Sequence, residues 1–318
     1  MTMLWKPLLS GTLPMDLITN DFDYSPVPFP VYASPKIDGF RAGVQNAVLV
    51  GRNGLPIRND ELQARYGKKE YEGLDGELTD GPANGQGVFH RTSRVVTKAT
   101  ASAINVRFNV IDLYWVNDAF ANTHINQRFK YVEAMDDPGI NLHPIKQTLV
   151  KNAAQLRAYE AKVLKQGYEG AMLRRADQGA YPQKIDGRGK LLKNNRSTLS
   201  EFYLVRMKRF EQEFATIAAV HLLEHNVNKE RTGTGARSSK KAGKVVDVQG
   251  RVGSATLKDI KTGKMFNTTI GAEKLRAWPG WADEKRWKGV KVRYKYQVCG
   301  TIDKPRINTC AFDELGVK

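Results

Sequence analysis

Cysteine is almost absent from this chain: Cys299 and Cys310 are the only two among 318 residues. That excludes a disulfide framework and a cysteine-based zinc site, and leaves two reduced thiols in the cytoplasm as the ordinary expectation. Long apolar runs are missing too. No stretch reaches the roughly 18 apolar residues that could span a membrane. The opening residues, MTMLWKPLLSGTLPMDL, are interrupted by Pro7 and Pro14 before a signal-peptide core could form. No G-x-x-x-x-G-K-[S/T] string occurs, so any use of a nucleoside triphosphate must rest on another device. Acidic residues are scarce relative to basic ones, 33 against 50, giving a net charge of +17. A surface of that sign favours a polyanionic partner such as nucleic acid.

What remains is an ordinary globular composition, 41% hydrophobic and 26% charged, in a chain long enough for two domains. The first 30 residues are punctuated by proline and are expected to wrap a domain surface. Short strand-like runs follow: VYAS, RAGVQNAVLVG, GLDGELTD and VRFNVIDLYWV. NAVLVGRNG reads as a hairpin arm ending in a turn. NDELQARYG, with Asn59 and Asp60 as cap and Gly67 as stop, predicts a helix, and VKNAAQLRAYEAKVLKQG predicts another ending at Gly167. Together these predict an α+β domain over residues 1–209.

From about residue 210 the texture changes to strands and turns: FATIAAVHLLEH, GKVVDVQGRVGSATLKD, KMFNTTIG and GVKVRYKYQVC. Residues 210–318 predict an all-β barrel of the OB type. They carry 21 Lys or Arg and 12 Asp or Glu, the denser share of the positive charge. A glycine- and serine-rich basic loop over 226–244 interrupts the first two strands. Its Lys229, Arg231, Arg237, Lys240, Lys241 and Lys244 are candidates for gripping a phosphate backbone.

Two tempting motifs fail on geometry. HLLEH, His221 to His225, matches the H-x-x-E-H pattern of zinc peptidases. It closes a β-branched run, and in a strand positions four apart lie roughly 13 Å from one another, too far for one ion. TGTGARS is a fragment of a dinucleotide fingerprint with no βα unit before it.

SPKIDGFR, residues 34–41, raises a sharper possibility, because Lys36 stands at a strand end beside a glycine. A lysine that attacks phosphorus must be neutral, so its site must lower a pKa of about 10.4; a shift of about three units amounts to about 4 kcal/mol. The chemistry also needs carboxylates for a divalent ion against a triphosphate, and cations for the charge on the α-phosphate. The chain supplies these in order: Lys36, Asp38, Gly39 and Arg41; Arg52 in VGRNG; Asp75 and Glu77 in LDGEL; Glu169 and Gly170 in YEGAMLRR; and Arg206 and Lys208 in LVRMKRF. In DGE and YEG each carboxylate adjoins a glycine expected at a strand end, where backbone could approach a nucleotide closely. Singly, each string has a commonplace reading as a hairpin turn, a helix cap or a charged strand face.

In this order, K-x-D-G-x-R, R-N-G, D-G-E, E-G-x-M-x-R and a basic-x-K pair resemble the covalent nucleotidyltransferases, in particular the small ATP-dependent DNA ligases of bacteriophages and viruses. The likeness runs from about residue 30 to 315, with NRSTLSEFYLVRMKRFEQEFATI among its most specific pieces. It implies an ATP-grasp-like adenylation domain followed by an OB domain. It also implies sealing of nicks in duplex DNA through a lysyl-AMP on Lys36, with ATP as AMP donor and Mg²⁺, or alternatively Mn²⁺, as metal. On this likeness Ser34, Ile37, Arg41 and Ile111 contact the nucleotide and Arg52 the nick 5′-phosphate. Glu77 holds ribose or metal, Glu169 holds metal, Arg206 and Lys208 hold the α-phosphate, and Arg196 supports the site. Ile111 stands where the family has an aromatic that stacks on adenine, and Phe108 is the nearby aromatic. Phe312 and Asp313 stand where the family has an arginine that orients pyrophosphate, which leaves Lys304 or Arg306 for that task. A compact monomer in the cytoplasm, that of a host if the gene belongs to a phage, is the expected setting. The alternatives are an RNA ligase, a GTP-using capping enzyme, or a non-catalytic nucleic-acid-binding protein on the same fold.

Overall fold

The computed structural model describes residues 6–114, 123–188, 192, 195–229, 241–297, 305–312 and 315–316. The chain forms two compact units, Met1–Arg209 and Phe210–Lys318.

The first unit is mixed α and β, built on two five-stranded sheets. One has the order Gly11–Thr12, Val205–Lys208, Gly170–Arg175, Val31–Pro35, Thr148–Val150; the other runs Val48–Gly51, Phe40–Gln45, Leu74–Asp80, Val106–Leu113, Leu142–Pro144. Pairing is antiparallel except where Gly11–Thr12 meets Val205–Lys208 and where Val106–Leu113 meets Leu142–Pro144. The chain leaves the first sheet at Pro35 and enters the second at Phe40. Residues 36–39, KIDG, are therefore the crossover between the sheets.

Local chemistry explains the elements the sequence marks. The hairpin of Phe40–Gln45 and Val48–Gly51 turns at Asn46 and Ala47, both with positive φ (54° and 55°). Helix Asp60–Tyr66 starts where the Asn59 side chain accepts from the Leu62 N–H at 3.0 Å. The same amide donates to the Ala101 and Lys98 carbonyls at 2.7 and 3.0 Å, so a fully buried asparagine caps one element and ties down another. Helix Ala153–Lys165 is capped by Asn152 and followed by Gly167 at φ 89°. Helices Val88–Val96 and Ile125–Glu133 carry weaker marks; the former follows Gly87 with no side-chain cap.

The N-terminal segment does not simply wrap the surface. Leu8, Leu13, Phe22 and Val27 are buried. The Leu9, Gly11 and Leu13 N–H groups donate to the Asn195, Leu204 and Arg206 carbonyls at 2.7, 2.9 and 3.0 Å. Apolar side chains between the prolines pull the segment onto the first sheet as an edge, where its backbone donors find partners.

The second unit is a five-stranded antiparallel sheet of order Met265–Thr269, Val252–Asp259, Glu211–Leu222, Lys291–Gln297, Arg306–Ala311. This is the strand order of an OB fold, third, second, first, fourth, fifth, with short helical turns over Glu273–Arg286 between the third and fourth strands. Its core includes Ile217, Leu257, Phe266, Trp281, Trp287 and Phe312. Phe312 packs edge-on against Trp281 at 6.2 Å between ring centroids, so this position is filled by core aromatic rather than by a cation.

Candidate active site

Three neighbouring strands bring the first group of residues together. Lys36 follows the Val31–Pro35 strand, whose Pro35 pairs with Ala171, while Gly170 pairs with Lys208 and Met172 with Arg206. The Lys36 N–H donates to the Gly170 carbonyl at 2.8 Å, and the Glu169 N–H donates back to the Lys36 carbonyl at 3.2 Å. This register places the two residues side by side. Glu169, nearly buried, bridges two ammonium groups: Lys36 Nζ engages Oε2, and Lys208 Nζ lies 2.8 Å from Oε1. Burial alone would raise the Glu169 carboxyl, but the two lysines outweigh it and hold the group below its usual range. Burial lowers the Lys208 ammonium, against the pull of Glu169. Arg206, two positions before Lys208 on the same strand face, donates from Nε to Thr12 Oγ1 at 3.0 Å.

The second sheet supplies the other group. Arg41 pairs in register with Glu77. Its guanidinium forms a two-pronged contact with the fully buried Asp75, both distances 2.6 Å, and stands 3.8 Å from Glu77 Oε1. Glu77 Oε2 is buried without a hydrogen-bond partner among the described residues. Burial pushes this carboxyl up to about 7, with Arg41 and Lys36 pulling the other way.

The glycines of these strings serve the sheets themselves. A Cβ on Gly76 would lie 2.3 Å from the Asn109 carbonyl oxygen, and one on Gly170, at φ 150°, 2.2 Å from that of Met207. The space the sequence suggested for a nucleotide at DGE and YEG is thus occupied by neighbouring strand backbone. Gly76 also lies inside the Leu74–Asp80 strand, not at its end.

Between the sheets lies a pocket of about 530 Å³, lined by Ser34, Lys36, Ile37, Gly39, Arg41, Arg52, Glu77, Ile111, Arg196 and Arg206, with Leu8–Ser10, Phe40, Phe89, Met172, Arg174 and Leu204 among its other walls. That size suits a nucleotide. Arg52 is exposed in the turn after Val48–Gly51, with no ion-pair partner among the described residues. Arg196 donates to the Ser10 carbonyl at 2.7 Å. Asp38 is half-buried at the crossover and adds negative charge near Glu77. Phe108 is not in the pocket: it is fully buried in the second sheet's core, 5.3 Å from the Tyr66 ring. Strand alternation sends Phe108 and Ile111 to opposite faces.

The candidates on the basic loop lie in the second unit. Lys229 and Lys241 are exposed. Lys244 starts a short strand, Lys244–Val246, paired with Glu224–Asn226, and its Nζ lies 3.2 Å from Glu224. Arg231, Arg237 and Lys240 fall outside the described residues, as do Lys304 and Asp313, and the Arg306 side chain is not described. His221 contacts Thr256 and His225 contacts Asp247, at 2.7 and 2.9 Å. The two histidines of HLLEH thus face different partners, and no cluster of three or more His, Cys, Asp or Glu suited to a metal occurs among the described residues.

Sequence reasoning missed several residues in and behind the walls of the site. Asp112 accepts from Arg128 Nε at 2.9 Å and also pairs with Arg174, three buried charges stitching the sheets together. Arg174 sits within the EGAMLRR string and could have been singled out there. Leu8–Ser10 and Tyr181 carry no local signal.

A nucleotide-sized cleft lined by a lysine on the crossover loop, a carboxylate of the second sheet and several arginines defines a nucleotide-using, phosphate-handling enzyme. The comparisons make this specific. A family model described as the ATP dependent DNA ligase domain matches residues 25–194. The crystal structure of Chlorella virus DNA ligase–adenylate is 25% identical, with 97% of this chain and 98% of that chain covered at a TM-score of 0.51. A Lig E DNA ligase structure shares the fold at 20% identity and a TM-score of 0.62, covering 96% of this chain and 98% of that one. A comparison with curated proteins finds no match. The chain belongs to the ATP-dependent DNA ligase family, in its small viral or minimal form, and is an enzyme. No helix among the described residues is long and apolar enough to cross a membrane.

Proposed function

We propose that this ligase seals nicks in duplex DNA through Lys36. Lys36 Nζ attacks the α-phosphorus of ATP; a P–N bond forms, the bond to the β-phosphate oxygen breaks and pyrophosphate leaves. An oxygen of the nick 5′-phosphate then displaces Lys36 from the adenylyl phosphorus. Finally the 3′-hydroxyl attacks the 5′-phosphorus and releases AMP. The observation that carries this reading is the Lys36–Glu169–Lys208 bridge, whose Lys36 lines a nucleotide-sized pocket. Glu169 holds the Lys36 side chain in place and is the adjacent acceptor for its proton. Arg206 and Lys208 face the α-phosphate, where their charge counters that of the transition state. Arg41 and Glu77 hold the sugar side, and Ile37, Ile111 and Ser34 the base.

Magnesium fits these residues only together with a nucleotide. Glu77 has an unpartnered buried oxygen, whereas both Glu169 oxygens are engaged by lysines. Such a donor set suits an ion that takes one or two carboxylates and fills its shell from phosphate oxygens and water. When bound it would neutralise charge on the departing pyrophosphate. The OB unit, with Lys229 and Lys241 of the basic loop exposed, supplies contacts to the DNA backbone independent of sequence, and one chain suffices.

Incubation with Mg²⁺ and α-labelled ATP, after pyrophosphate treatment to strip bound AMP, tests the reading. Acid-labile label on the denatured protein, absent from Lys36→Ala and discharged onto nicked duplex, is expected. Label from GTP alone would point to capping chemistry, and equal label on Lys36→Ala would remove Lys36 from its role.

A further inference from the structure

Behind the cleft lies a buried polar side chain to which the mechanism above gives no task. Tyr181 lies beyond the Gly170–Arg175 strand of the first sheet, yet its hydroxyl reaches the second: it donates to Asp75 Oδ2 at 2.7 Å. The Tyr181 hydroxyl oxygen in turn accepts from the Leu8 N–H at 2.9 Å. Asp75, fully buried, holds Arg41 through both carboxylate oxygens, so Oδ2 receives Tyr181 and Arg41 together. Leu8 and Arg41 both line the nucleotide pocket. A continuous hydrogen-bonded line thus runs from one pocket wall, Leu8, through Tyr181 and Asp75 to a cation on another, Arg41. Burial, and then the Asp75 charge, push the phenol far above its ordinary range, so it is a constant donor.

We infer that Tyr181 is a positioning residue for ATP: by fixing the Asp75 carboxylate it fixes the Arg41 guanidinium, and by accepting from Leu8 it sets the N-terminal wall against the same nucleotide. The inference rests on the proposed adenylylation of Lys36 in this pocket. A carboxylate held only by Arg41 can swing with it. Held also by a hydroxyl that is itself fixed by the Leu8 N–H, it presents the guanidinium in one orientation before ATP arrives. Preorganisation of that kind acts on the binding of the nucleotide more than on the turnover of bound ATP.

Tyr181→Phe tests this, with Tyr114→Phe as a matched control. Tyr114 is a buried neighbour whose ring lies 6.3 Å from that of Tyr181 and whose hydroxyl donates to the Val44 carbonyl at 2.8 Å. Both variants lose a buried hydroxyl contact, and both are assayed at a temperature where thermal melts show them folded. For adenylyl transfer from ATP to Lys36, Tyr181→Phe is expected to raise KM about tenfold with kcat within about twofold of the parent, whereas Tyr114→Phe leaves KM unchanged. In an Arg41→Lys background, where the two-pronged contact is already lost, Tyr181→Phe should add less than about twofold. An unchanged KM, an equal defect in both Tyr→Phe variants, or a full tenfold effect on top of Arg41→Lys would overturn the inference. Parent protein that takes no label at Lys36 would overturn the underlying reading instead, and the parent lane shows this separately.

Discussion

Lys208 Nζ lies 2.8 Å from Glu169 Oε1, on a carboxylate whose other oxygen belongs to Lys36. The two ammonium groups would repel each other across this gap, and Glu169 makes their proximity tolerable. Positive charge is thereby concentrated beside the pocket that Lys36 lines.

Replacing Glu169 by Gln keeps the shape and removes that compensation. Removing one partner of a buried charge set destabilises by about 3 kcal/mol. Denaturant melts should show a loss of that order, and label uptake from ATP should fall by about 100-fold or more. A variant that melts and labels like the parent would show that the bridge is incidental.

Glu77 makes the nucleotide-free protein sensitive to pH. Its folded carboxyl is raised from 4.5 to about 7 by burial. The folded state therefore binds more protons than the unfolded state between those values, and stability falls as pH rises through that window. Glu77→Gln lacks this term. Relative to the parent, the variant should gain up to about 3 kcal/mol between roughly pH 4.5 and 7 and nothing further above it. Chemical denaturation of both proteins at several pH values reads the difference directly.

Two glycines should behave differently. Alanine at Gly170 would bring its Cβ to 2.2 Å from the Met207 carbonyl oxygen at φ 150°, whereas at Gly54, φ 75°, nothing lies within 4 Å. Gly54→Ala should destabilise by about 1 kcal/mol through backbone strain alone. Gly170→Ala should lose about 3 kcal/mol or fail to fold, because two strands must separate. Paired thermal melts decide it; equal losses would contradict the close approach.

The exposed lysines of the OB unit differ in what they have left to offer a phosphate. Lys241 is exposed, while Lys244 is paired with Glu224 at 3.2 Å. Lys241→Ala should weaken binding to nicked duplex and reduce the slope of log K against log salt by about 0.9. Lys244→Ala should change that slope less. Titrations at three salt concentrations would show whether the order holds.

Much of the fold could be read from local pattern. Asn59 and Asn152 mark their helix starts, and RNG at 52–54 marks a turn closed by the Gly54 N–H to the Gly51 carbonyl at 2.8 Å. Alternating apolar residues in KVRYKYQ give the strand Lys291–Gln297, because burial on one face of a sheet has a period of two. The placement of Leu8 and Leu13 could not be read this way. Prolines interrupt that stretch, and the partners of its backbone lie more than 170 residues away, as in the 186-residue separation of Ser10 and Arg196.

The sequence by itself determined which chemical groups this ligase has and in what order: Lys36 beside a glycine, the carboxylates of DGE and YEG, and the basic pair Arg206 and Lys208. Those strings are short, and their residue types are dictated by phosphate chemistry. Only the tertiary structure decided which groups meet. Glu169 reaches Lys36 across 133 residues of chain, Tyr181 reaches Asp75 across 106, and Leu8 reaches Tyr181 across 173. Such contacts depend on strand register and on the crossing between sheets, which are set by the burial of two cores at once and leave no mark on any one stretch of sequence.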